Sequence, residues 1–558
     1  MREGCTPWPE ELARRYREKG YWAPLTLGDM IEDAAKHFGP RVAIISDEGD
    51  RITYTEMVRK INRLALHLLD LGLRSGEVLV LQLPNVPEFI YLYFAIQKIG
   101  AVPLLCLPAH RFTEVSQLAD LTDAVGYGVP GEESPFNFLE LANQVRDRVP
   151  KVRFLFNSGR ETAKGFINLL RLLEDPIEER VSTRELERLR PDPEEVAVFL
   201  LSGGTTGLPK VIPRTHTDYL YNSRQSSRMA RLDGDTIFLV ALPIAHNFPL
   251  ACPGIQGCFL NGARVVLCRF PQTKHMFELI DREKVNHISL VPALINRCLD
   301  APERKDYSLQ SLRGITSGGQ KVQPELKVRV ERELGCMVQE VFGMAEGLLC
   351  YVRQDDPEEV RHQTAGRPIC PDDEIRLVDE EGREVPEGEV GELLCQGPYT
   401  IRGYFRAQEY NRTAFTTDGF FHTGDLMRCH PSGNLVVEGR RKDLINRGGE
   451  KISAEEIENL ILTHPSVHNI ACTAMPDPML GEKMCAFVVL REGRTLSLPE
   501  LVGFLETKQI ARFKLPERLE ILPELPVSGF GKISKKDLRA FIAAKLQEEK
   551  TRSQETQS

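Results

Sequence analysis

Apolar residues along this chain fall into two alternating rhythms. Short runs such as Val78-Leu79-Val80-Leu81, Val196-Ala197-Val198-Phe199-Leu200 and Ile237-Phe238-Leu239-Val240-Ala241-Leu242 are apolar throughout and rich in β-branched residues, which predicts strands buried on both faces. Segments with helical spacing, such as Tyr54 to Leu73, lie between runs of this kind. From about Leu25 to Arg190 the two patterns alternate, predicting layers of sheet and helix, and the alternation continues through Ala263-Arg264-Val265-Val266-Leu267. Gly388-Glu389-Val390-Gly391-Glu392-Leu393-Leu394 predicts a strand of an antiparallel region. Near Arg440 to Gly449 the composition turns charged and glycine-rich. A fresh pattern then opens at Ser453-Ala454-Glu455-Glu456, where serine followed three residues later by glutamate predicts a capping box. The domain boundary is therefore expected at about Lys442, separating 1–441 from 442–546, with 547–558 a polar tail expected to be disordered.

Composition narrows the picture. A chain of 558 residues exceeds what one hydrophobic core serves, so at least two domains are expected. A net charge of −9 argues against a general nucleic-acid binder, which needs a basic face. No apolar stretch approaches the roughly 20 residues of a membrane helix. Met1 to Trp8 lacks a signal peptide's apolar core, so a cytoplasmic location without membrane contact is expected. The 13 cysteines form no C-x-x-C pair and no H-E-x-x-H occurs, which predicts reduced, buried thiols and no zinc site.

The densest chemistry lies in Leu201-Ser202-Gly203-Gly204-Thr205-Thr206-Gly207-Leu208-Pro209-Lys210, directly after a predicted strand. Glycines there let backbone N–H groups approach an anion, while Ser202, Thr205, Thr206 and Lys210 add donors and charge. The loop is not a Walker A motif, because Pro209 precedes the lysine and Val211 follows it. On its own such a cluster fits a surface turn as well as a phosphate loop.

Four further segments resolve that choice: Val341-Phe342-Gly343-Met344-Ala345-Glu346, His422-Thr423-Gly424-Asp425, Gly439 through Lys451, and Gly529-Phe530-Gly531-Lys532. With the loop and in this order, they resemble the adenylate-forming superfamily of acyl-CoA ligases, firefly-type luciferases and nonribosomal-peptide adenylation enzymes, over nearly the whole chain. The resemblance implies a fold of α/β and α+β type: a large N-terminal domain of mixed sheets and helices and a small mobile α+β C-terminal domain. It also implies activation of a carboxylic acid by MgATP to an acyl-adenylate, then transfer to a thiol. By the same resemblance Lys532 bridges carboxylate and α-phosphate, Glu346 is the magnesium-associated carboxylate, Phe342 stacks on adenine, and Asp425 holds the ribose hydroxyls with Arg440 as a second candidate. Gly318 and Gly319 let the chain approach adenine and acyl group, Lys442 is the hinge, and Gly448 and Gly449 reach the thiol tunnel. The local readings alone leave Phe342 equally suited to the core and Lys532 to a solvated turn.

Within the superfamily the chain resembles the freestanding aryl-acid AMP ligases of siderophore assembly, through Ala245-His246-Asn247-Phe248-Pro249-Leu250, Phe342 to Leu349 and Asn446 to Lys451. The resemblance places His246 among the catalytic residues. It assigns Asn247, Phe248, Cys252, Gly318, Val341 and Leu349 to the aryl pocket, with Asn247 on the ortho-hydroxyl. Enzymes for 2,3-dihydroxybenzoate carry Tyr, Ser and Val where this chain has Phe248, Cys252 and Leu349. A thiol is a poor partner for a ring 3-hydroxyl, and leucine takes more room than valine. Salicylate is the expected acid, with 2,3-dihydroxybenzoate the alternative. The expected thiol acceptor is the phosphopantetheine of a separate aryl carrier protein; an aryl-CoA ligase and a noncatalytic scaffold of the same fold are the competing readings.

Overall fold

The structure is a computed structural model that describes residues 1–202, 209–447, 450–477, 479–508, 510, 512–527 and 532–555. It divides into two compact units, one of residues 1–374 with 395–421 and the other of 375–394 with 422–558.

The first unit carries two large sheets. In the seven-stranded one the order is Ile167–Asn168, Phe154–Asn157, Ala124–Val129, Val78–Leu81, Val102–Leu105, Val196–Leu201, Val211–Thr215, parallel except for the last pair. Every residue of Val78–Leu81 is buried, as its unbroken apolar run predicts. The nine-stranded sheet has a parallel core of Met337–Met344, Gly314–Gly318, His287–Leu290, Ile237–Val240, Arg264–Leu267 and Val42–Ile45, with antiparallel strands at both margins. The predicted helix at Tyr54 runs to Asp70; Thr53 and Glu56 form a reciprocal capping box at its start. Its buried face includes Met57, Ile61, Leu64 and Leu68.

The second unit contains the antiparallel ladder that pairs residues 425–429 with Leu435–Arg440. It also contains a sheet ordered Glu450–Ser453, Leu444–Arg447, Gly481–Leu490, Val467–Asp477, with Arg518–Ile521 pairing parallel to Gly481–Leu490. The predicted strand near Gly388 is Gly391–Gln396, whose first four residues belong to this unit. Ser453 does cap the helix Ala454–Leu462 by accepting the Glu456 N–H. The reciprocal half of the predicted box is replaced, because the Glu456 carboxylate takes Lys514 Nζ at 2.7 and 2.8 Å. A formed ion pair outcompetes a weaker contact to one backbone N–H. The final helix, Lys535–Glu555, continues through residues 547–555, which the polar composition predicts to be disordered. All 13 cysteines are free thiols, 11 of them buried. Among the described residues no helix is long and apolar enough to cross a membrane.

Candidate functional site

Most of the first unit's candidate residues lie at the carboxyl ends of its parallel strands, where open α/β sheets bind ligands. Asn247 follows Ile237–Val240, Gly318 ends Gly314–Gly318, and Phe342 lies near the end of Met337–Met344. Gly318 pairs with Val341 across parallel strands, and a Cβ on it would come 2.4 Å from the Val341 carbonyl oxygen. Glycine is therefore demanded first by close strand approach. Gly319 has φ +83°, which suits glycine at the turn out of the strand. Phe342 is half-buried, neither a full core residue nor an exposed ring.

The predicted phosphate loop is closed at its stem. Ser202 N–H donates to the Lys210 carbonyl and Lys210 N–H to Ser202 Oγ, both at 2.9 Å. Gly203, Gly204, Thr205, Thr206 and Gly207 lie outside the described residues. Lys210 Nζ sits 3.9 Å from the Tyr410 ring centroid and 5.9 Å from that of Tyr404. The Tyr404 hydroxyl in turn donates to Glu346 Oε1 at 2.8 Å. Glu346 is buried in the tight turn between Met337–Met344 and Gly347–Tyr351, where its carbonyl accepts the Ile401 N–H. One tyrosine thus joins the loop lysine to the predicted magnesium carboxylate. Burial first, then the charge of Glu346, pushes the Tyr404 phenol far above its usual range, so it remains a donor. A buried, oriented carboxylate oxygen fits a hard cation such as Mg²⁺. Sequence reasoning missed Tyr404 and Tyr410, since each is one aromatic among others in its segment.

Among the aryl-pocket candidates, the structure joins Asn247 and Cys252 directly. His246 caps the short helix Asn247–Ala251 through Nδ1, which accepts the Phe248 N–H at 3.1 Å. Asn247 Oδ1 accepts the Tyr219 hydroxyl at 2.8 Å, and Asn247 Nδ2 points to Cys252 Sγ at 3.4 Å. Asn222 Nδ2 reaches the same sulfur at 3.6 Å and the Ala251 carbonyl at 2.8 Å. Phe248, Cys252, Val341 and Leu349 are all buried. The Leu349 N–H donates to the Tyr399 hydroxyl at 3.1 Å, which donates onward to Asp373 Oδ2 at 2.6 Å. Behind Asn247 lies Arg214, fully buried. Its Nε donates to Asp218 at 2.7 Å, its Nη1 to the Ala345 carbonyl at 2.9 Å, and its guanidinium covers the Tyr219 ring at 4.9 Å. Tyr219, Asn222 and Arg214 were not singled out from sequence. A charged residue within the strand Val211–Thr215 was the one signal available for Arg214.

In the second unit Asp425 and Arg440 are cross-strand partners, with Arg440 Nε 2.8 Å from Asp425 Oδ1. Lys532 is half-buried; beside it Val527 and Ile533 form an isolated antiparallel bridge and the Ser534 N–H donates to the Pro526 carbonyl. The following helix is tied down by Lys535 on Glu458 at 2.6 Å and Arg539 on Asp443 at 3.1 Å. Lys442 lies in the single 3₁₀ turn Arg441–Asp443. Gly448 and Gly449 lie outside the described residues.

The profile of the AMP-binding enzyme family matches residues 31–405, and that of the AMP-binding enzyme C-terminal domain matches 456–532. This chain belongs to the AMP-binding enzyme family. It is 48% identical to a Streptomyces protein described as salicylyl-CoA synthase / salicylate adenylyltransferase, over 98% of both chains. It is 43% identical to the 2,3-dihydroxybenzoate-AMP ligase of Bacillus subtilis, over 98% of this chain and 99% of that one. Among solved structures, apo MbtA of Mycobacterium smegmatis aligns with a TM-score of 0.73 and 41% identity, covering 96% of this chain and 98% of that one. The two-part AMP-binding architecture expected from the motifs is borne out.

Proposed function

We propose that this chain activates salicylate with MgATP to the aryl-adenylate and pyrophosphate, then passes the aryl group to a phosphopantetheine thiol on an aryl carrier protein. The observation that carries the choice of acid is the buried pair at the pocket wall, Asn247 Nδ2 beside Cys252 Sγ at 3.4 Å. An amide N–H suits the oxygen of an ortho-hydroxyl, whereas a sulfur already approached by two amides offers little to a 3-hydroxyl. In adenylation a carboxylate attacks the α-phosphate, so positive charge must offset two converging anions. Lys532 is assigned that role at the carboxylate and α-phosphate, Lys210 and its loop the phosphates, Asp425 with Arg440 the ribose, and Phe342 the adenine. Glu346, oriented by Tyr404, would hold Mg²⁺, which when bound neutralises phosphate charge. Lys442 is assigned as the hinge between half-reactions, and Gly448 and Gly449 as the approach for the thiol.

Acid-dependent ATP–pyrophosphate exchange with salicylate, 2,3-dihydroxybenzoate, benzoate and 3-hydroxypicolinate tests the reading. Salicylate should lead, and 2,3-dihydroxybenzoate ahead of it would reverse the assignment. The name of the Streptomyces relative favours coenzyme A as a second candidate acceptor. Parallel loading of coenzyme A and of a pantetheinylated aryl carrier protein separates the two, and CoA thioester without carrier acylation would select the second.

A further inference from the structure

Asn247 presents its amide in one of two ways, N–H or carbonyl toward Cys252, and the two read opposite ortho substituents. Tyr219 decides between them. Its ring is wholly buried on the helix His216–Met229, and burial raises the phenol well beyond its ordinary range, so its proton stays on and must be donated. The acceptor it meets is Asn247 Oδ1, at 2.8 Å. A flipped amide would set its NH₂ against the phenol and strand a buried O–H. With Oδ1 held, Nδ2 faces Cys252 Sγ. The phenol is itself immobilised: Arg214 lies over the ring, and Asp218 and the Ala345 carbonyl grip the guanidinium. Asp218 also accepts the Thr215 N–H and hydroxyl at the helix start, which fixes the helix that carries Tyr219.

We propose that Tyr219 is a positioning residue for ortho-group specificity, locking Asn247 with its N–H presented so that an ortho oxygen is accepted and an ortho amino group is refused. The inference rests on the aryl-acid reading above. A phenolic or phenolate oxygen accepts an amide N–H well. An aromatic amine is chiefly a donor, with its lone pair drawn into the ring, and two donors facing each other across a buried gap gain nothing.

The test compares wild type and Tyr219→Phe in pyrophosphate exchange with salicylate, anthranilate and benzoate, taking kcat and KM per folded enzyme as checked by thermal melting. Wild type should favour salicylate over anthranilate by at least about tenfold in kcat/KM. In Tyr219→Phe that ratio should fall about tenfold, chiefly through a higher salicylate KM, while benzoate, which has no ortho group, keeps its kcat/KM. An unchanged ratio in Tyr219→Phe overturns the proposal. Equal loss on all three acids, benzoate included, assigns Tyr219 to packing and also overturns it. Wild type that uses anthranilate as well as salicylate overturns it without any variant, whereas wild type that activates none of the three defeats the aryl-acid reading itself.

Discussion

Replacing Cys252 by serine and Leu349 by valine together should turn the pocket toward 2,3-dihydroxybenzoate. Cys252 and Leu349 are each 2% exposed, so a ring group beside them has no water to fall back on. Burial pushes the Cys252 thiol up to about 11, with the Asn222 and Asn247 amides pulling the other way, so the group is a neutral thiol at working pH. A neutral thiol satisfies a hydroxyl poorly. Leaving a buried hydroxyl unpaired costs about 1–3 kcal/mol, or roughly 5- to 150-fold in kcat/KM. Serine would accept the same two amides and still have a proton to donate to the ring oxygen. Leu349→Val removes one methylene, trading about 0.5–1.5 kcal/mol of stability for room beside the ring. The ratio of kcat/KM for 2,3-dihydroxybenzoate over salicylate should therefore rise at least about tenfold in the double variant, most of it from Cys252→Ser. Pyrophosphate exchange over a range of each acid reads this directly. A folded double variant with an unchanged ratio would refute the assignment of these residues as the 3-position wall.

Three other outcomes test the surrounding structure. Tyr404→Phe removes a charge-assisted hydrogen bond to Glu346, worth about 1.5–3 kcal/mol, and should raise the Mg²⁺ needed for half-maximal exchange by about tenfold or more; an unmoved Mg²⁺ titration would contradict the orienting role. Burial pushes the Asp373 carboxyl up to about 7, although Tyr399 and the Cys370 N–H oppose it, and its Oδ1 has no hydrogen-bond partner among the described residues. The folded state thus keeps a proton that the unfolded chain loses near pH 4. Stability from this group falls as pH rises from about 4 to 7 and is level above, so Asp373→Asn should gain melting temperature over wild type progressively across that window. A constant difference between pH 5 and 8 would exclude it. Lys535→Met leaves Glu458, which burial already pushes upward, without its cation. Because both side chains keep some exposure, the loss in the second unit should be about 2–3 kcal/mol, below that of a fully buried pair, and should shrink as pH falls and Glu458 protonates, as read by denaturant melts.

What the sequence made legible was whatever repeats along the chain or stands as a contiguous word. The buried run at Val78 and the capped helix at Tyr54 follow from local pattern, and the loop ending at Lys210, Glu346 and the Asp425–Arg440 pair follow from motifs. The partners that orient these residues come from far along the chain and carry no local mark. Tyr404 meets Glu346 across 58 positions, Tyr219 meets Asn247 across 28, and Tyr399 meets Leu349 across 50. Each is an aromatic residue whose apolar body belongs in a core, so burial alone explains it in sequence, and only geometry reveals what its hydroxyl does. The half-formed capping box at Ser453 makes the same point in reverse: the local rule named the right serine, and a lysine 58 positions past Glu456 took the glutamate away.

Arg214 holds one of these long-range partners, Tyr219, and reaches the chain beside Glu346. A fully buried ion pair such as Arg214 with Asp218 does little for stability compared with well-packed apolar residues of the same volume, so its location calls for another explanation. The guanidinium donates to the carbonyl of Ala345, the residue before Glu346, and covers the ring of Tyr219, whose hydroxyl holds Asn247. Its strand, Val211–Thr215, begins directly after Lys210. One rigid cation therefore touches the backbone beside Glu346 and the ring whose hydroxyl holds Asn247. Lysine in its place would keep the charge and lose the planar fork, and with it one of those two grips.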